Sequence, residues 1–128
     1  MKFAILSLTA ALGLVTVLGA PPAFAGEGHG PEHGGVVREM HGVTYELVAR
    51  PDSLTLHISD HSKKIATEGA KAEAVIYANN GKTPVTLAPA GDNRMQAKGN
   101  FKVGIGVRSV VTVTLAGKSP VKLAFNLK

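Results

Sequence analysis

Apolar and polar side chains alternate with a period of two along most of this chain, and that pattern limits it to a sheet protein. Val121, Leu123, Phe125 and Leu127 alternate with Lys122, Ala124, Asn126 and Lys128, so an extended backbone sends the two sets to opposite faces. Leu54, Leu56 and Ile58 alternate in the same way with Thr55, His57 and Ser59, and the runs Val43–Ala49 and Lys71–Tyr77 repeat the pattern. The alanines of Glu68–Tyr77 suit a helix, but the spacing of its apolar residues favours a strand. Strands with one apolar face are wet on the other, as in antiparallel sheets.

The breaks between these runs are turn chemistry. Asn79-Asn80-Gly81-Lys82 predicts a hairpin, because Asn and Gly tolerate positive φ. Pro51-Asp52, the stretch 89–93 and the stretch 116–120 interrupt the other runs, and His41-Gly42 joins a first strand to the second. Pro84 lacks a donor N–H and predicts a strand start or a sheet edge. About seven short strands spaced roughly 8 to 12 residues apart predict an all-β, antiparallel, immunoglobulin-like β-sandwich over residues 36–128. Between Asn93 and Val110 no period is legible.

The first 25 residues obey another rule. Lys2 precedes an apolar run from Phe3 to Leu18, and Ala23-Phe24-Ala25 is the small-x-small pattern cut by signal peptidases. The run is shorter than the roughly 20 residues that span a bilayer, and no second one follows. Residues 1–25 therefore predict a cleaved signal peptide, residues 26–35 a flexible His/Gly-rich segment, and 36–128 a single domain without a membrane span. The 128 residues include no Cys, which excludes thiolate metal sites, Cys nucleophiles and disulfides. Such a leader without disulfides points to the periplasm. The formal charge of +5 includes Lys2 and is scattered, with no basic stripe interleaved with aromatics. Nucleic acid is not the expected partner.

The histidines carry the sharpest functional signal. His29, His33, His41, His57 and His61 are the only five, and none occurs in the 67 residues after His61. Imidazole is the commonest metal ligand, and the carboxylates of Glu27, Glu32, Glu39 and Asp60 suit a borderline site for copper, zinc, nickel or cobalt. Met40 beside His41, and Met95 further on, add the thioether that Cu(I) favours. A turn after Asp60 folds His61 back toward His57, and the turn carrying His41 can lie at the same edge, so His41, His57 and His61 form one candidate group. Each residue also has an ordinary role. His33 leads into Gly34-Gly35, His57 on a wet strand face is commonly just solvated, and Met95 serves equally as core.

Several short motifs carry a resemblance. Glu32-His33-Gly34-Gly35-Val36-Val37, then Gly42-Val43-Thr44-Tyr45-Glu46-Leu47-Val48, then Leu54–His61, and the stretch 87–93 resemble the small β domain found with periplasmic adaptor subunits of heavy-metal efflux pumps and stand-alone metal-resistance proteins. That resemblance implies a role in copper or other heavy-metal tolerance, possessed by a free module that buffers or delivers the ion, with a pump component as partner. An adaptor itself needs a helical hairpin and further domains that the 103 residues after the leader do not hold. No G-x-S-x-G, H-E-x-x-H or phosphate loop is present, so no enzyme is expected. The competing expectation is a protein-interaction or structural module of the cell envelope, docking through a sheet edge, with incidental histidines.

Overall fold

The computed structural model describes residues 30–127. The leader, the stretch 26–29 and with it His29 lie outside the described residues. Nine strands follow in order: β1 (Val36–Met40), β2 (Val43–Arg50), β3 (Ser53–Asp60), β4 (Lys63–Lys64), β5 (Lys71–Ala78), β6 (Gly81–Pro89), β7 (Arg94–Lys98), β8 (Arg108–Thr114) and β9 (Val121–Asn126). All pairings are antiparallel, and no helix occurs among the described residues. The spatial order is β1-β2-β3-β7-β6-β5-β8-β9, with β4 added beside β3. The sheet curls until β1 stands near β9, where Arg38 Nε donates to the Ala124 carbonyl at 2.7 Å. The result is an all-β sheet nearly closed into a barrel.

The alternation works as anticipated. Tyr45, Leu47, Leu54, Leu56 and Ile58 point inward with Val111, Val113, Leu123, Phe125 and Leu127, and all are buried. The register pairs inward residues with inward ones, Tyr45 with Ile58 and Leu47 with Leu56. A slip of one position would turn every one of them outward. Pro84 lies within β6, where that strand has only β5 as a neighbour; β7 takes over at Ala88 and Pro89. The missing N–H thus faces an edge.

Seven of the nine strands answer to the roughly seven anticipated, and β4 and β7 do not. Strand β4 is two exposed lysines, too short to have a period. In β7 only Met95 is a large apolar residue. It is fully buried opposite Leu56, so its thioether is core and not a surface ligand. Asn93 fixes this strand's start: its backbone carbonyl accepts from Ile58 N, and its side-chain amide donates to the Ile58 carbonyl. Those bonds hold β7 against the half of β3 that carries His57.

Candidate metal site

Inward-facing Tyr45 and Leu47 leave Glu46 on the outer face of β2. The register runs a row of side chains across four strands there: Val37, Glu46, His57 and Arg94. Glu46 is nonetheless only 4 % exposed, because residues 30–35 fold back over it before β1 begins. A buried carboxylate needs full hydrogen bonding, and Glu46 has it. Its Oε1 accepts from Glu32 N at 3.1 Å and lies 2.9 Å from His33 Nδ1; its Oε2 accepts from His33 N at 2.9 Å and Gly35 N at 2.8 Å. Burial pushes the Glu46 carboxyl up, and the bonds from the His33 ring and the amides of Gly35, His33 and Glu32 outweigh it, so its pKa lies below the ordinary 4.5.

Two local features allow this fold-back. Gly34 has φ of +79°, a conformation that glycine adopts without strain. At Gly35 a Cβ would stand 2.5 Å from the Leu47 carbonyl oxygen, so the chain can pass this close to β2 only without a side chain. The end of the segment anticipated as a flexible tail is thus tied at three backbone amides.

The same bonds fix His33. An ionised carboxylate only accepts, so Nδ1 carries a proton and, in the neutral ring, Nε2 is the nitrogen with the lone pair. Carboxylate-oriented histidines of metal centres have this arrangement, in which the outer partner sets the tautomer and raises ligand basicity. The His33 side chain is 45 % exposed, leaving a route for an ion. Against it lies His57, with ring centroids 3.7 Å apart and planes within 3°. Burial, with help from His33 and Arg94, holds His57 below the ordinary 6.5 despite the opposing Glu46 and Glu32. It is neutral at pH 7, as a ligand must be.

Stacking restricts what the pair can do together. Imidazole lone pairs lie in the ring plane, so an ion bonded to His33 stands away from the plane of His57 by about the stacking separation. One ion takes both nitrogens only after one ring rotates. Among the described residues no three His, Asp or Glu side chains converge on one point.

The other anticipated ligands gather elsewhere. Met40 ends β1, and His41-Gly42 and His61-Ser62 are two-residue turns with positive φ at all four positions. The register of Val43 with Asp60 sets these turns side by side, and the site of a Cβ on Gly42 is 3.9 Å from His61 Nε2. His61 Nε2 also lies 3.5 Å from Asp60 Oδ1. The turns that carry His41 and His61 thus lie side by side, whereas the His57 ring stacks on His33. Glu46 was missed as a site residue. Between Tyr45 and Leu47 it reads as an ordinary wet-face side chain, and only the Gly34-Gly35 pair hints that something crosses over it.

Fold and site together define a small antiparallel sheet, nearly closed into a barrel, in which residues 32–35 are clamped by a buried carboxylate beside a histidine pair. Comparison of the chain with protein-family models, with curated proteins and with solved structures gave no match. No helix among the described residues is long and apolar enough to cross a membrane.

Proposed function

We propose that this chain is an exported, non-enzymatic transition-metal-binding protein that buffers or delivers copper, or another heavy metal, in metal tolerance. The observation that carries the reading is the His33 Nδ1 contact to Glu46, which leaves Nε2 as an oriented, basic ligand. His57 joins it by ring rotation, Glu32 and the His29 that precedes Gly30 in sequence supply further donors, and Met40, His41 and His61 form a secondary ligand group. On this reading the curled sheet is a flattened immunoglobulin-like sandwich, the leader is a signal peptide, and the site works in the periplasm, with an efflux-pump component as recipient.

A second reading rests on the same contacts. Glu46 and His33 also form a clamp that secures the start of β1, and the clamp alone suits an interaction module. Metal retention separates the two. The chain from Gly26 onward is expected to hold Cu(II), Zn(II) or Ni(II) stoichiometrically through desalting at pH 7.5, and to release it toward pH 5 as imidazole protonates. Release of all three ions at pH 7.5 supports the clamp alone.

A further inference from the structure

A cavity of about 580 Å³ opens at the barrel end where β1 turns into β2. Val43, Ile65, Leu115 and Val121 pack on the core yet leave part of their surface to it. The mouth of a β-barrel is a common place for a small-molecule site, and this volume lies within the usual range of such sites. An apolar hollow alone does not name a ligand, but its polar lining does: Asp60, the one carboxylate there, lies 3.5 Å from His61 Nε2, and two donors are left to face a ligand.

The first is Tyr45. The residue is only 2 % exposed, and its side chain makes no hydrogen bond among the described residues. Tyr45 lines the cavity, so its side chain borders on any ligand held there. Buried tyrosines ordinarily give the O–H a partner. Burial also raises the Tyr45 phenol above the ordinary 10.0, which keeps it a donor. The second group is Lys118 in the β8–β9 turn. It is exposed, lines the same cavity and makes no ion pair among the described residues. Its long stem lets the ammonium follow a ligand at the rim.

We infer that this cavity binds a small apolar monocarboxylate, its hydrocarbon body against Val43, Ile65, Leu115 and Val121 and its oxygens accepting from Tyr45 and Lys118. An apolar body suits the wall, and an anionic acceptor suits two donors with no side-chain partner among the described residues. The cavity is separate from the His33–His57 pair but borders on Met40 and His41 of the secondary ligand group, and the inference concerns the metal-free chain.

The test is calorimetric titration of the metal-free chain from Gly26 onward with decanoate, and with decylamine as the cationic counterpart. Decanoate is expected to saturate one site and decylamine to bind at least tenfold more weakly. Tyr45→Phe removes a hydroxyl that has no partner among the described residues and preserves folding; it is expected to weaken decanoate about three- to tenfold, the loss of one hydrogen bond. Ser119→Trp, at the exposed rim, is expected to block the mouth and abolish binding. Absence of saturation, decylamine binding as tightly as decanoate, or unchanged decanoate affinity in both variants overturns the assignment.

Discussion

Glu46→Ala is the change to which this fold should be most sensitive outside its apolar core. The alanine removes the acceptor for four donors at once. Gly35 N–H is buried where it meets Glu46, and stranding a buried donor costs about 1–3 kcal/mol. The Glu32 and His33 amides and the His33 ring are partly exposed and recover water, each losing roughly 0.5–1.5 kcal/mol of net bonding. Relief from burying a charge returns part of this. The expected net loss is about 2–4 kcal/mol, which for a domain of this size lowers Tm by on the order of 10–25 °C. Glu46→Gln discriminates further. With its amide nitrogen in the Oε1 position, the oxygen still serves His33 N and Gly35 N, and the His33 ring can switch tautomer to accept. Only the Glu32 amide is then opposed, for a loss of about 1 kcal/mol.

The pH dependence carries the same signature. The Glu46 pKa is depressed in the folded state, so its stabilisation is complete above the unfolded value of 4.5 and disappears as pH falls through the lower folded value. Thermal unfolding of the metal-free protein from pH 7.5 to 3 should show this acid loss in the parent and a flatter profile in Glu46→Ala. Equal Tm values at pH 7.5, or identical acid profiles, refute the clamp. Deleting residues 26–34, which the strand pattern alone treats as harmless, removes three of the four donors and should mimic Glu46→Ala.

Three further outcomes follow from the same structure. Gly35→Ala forces a methyl against the Leu47 carbonyl and should destabilise by about 1–3 kcal/mol, read by urea unfolding; an unchanged midpoint contradicts the close approach. NMR titration of the His57 ring protons in the metal-free protein should give a midpoint below 6.5, and a midpoint above 6.5 refutes its burial against His33. Because the unfolded chain then takes up the proton first, stability should decline as pH falls from about 6.5 toward that midpoint, and His57→Gln should remove this decline.

The strands legible in the sequence are those whose apolar set faces the core without interruption, such as Leu54, Leu56 and Ile58. Strand β7 was invisible because its place is set by partners rather than by pattern: Asn93 bonds to Ile58, and Met95 packs opposite Leu56. The site was legible only in part for the same reason. Clustered histidines pointed to the right third of the chain, and the His41 and His61 turns do meet. The pairing of His33 with His57 needs the register of Glu46 with His57 and the fold-back at Gly34-Gly35, which no local period encodes. Glu46 holds the arrangement together, yet its neighbours in sequence make it look solvated.

The central claim is that His33, set by Glu46, anchors a transition-metal site. Its most direct test is calorimetric titration of the chain from Gly26 onward with Cu(II), Zn(II) and Ni(II), repeated in His33→Ala and, as a control, in His61→Ala. Stoichiometric binding of at least one ion, weakened tenfold or more by His33→Ala and little changed by His61→Ala, is the expected result. Binding that is absent for all three ions, or that survives His33→Ala undiminished, contradicts it.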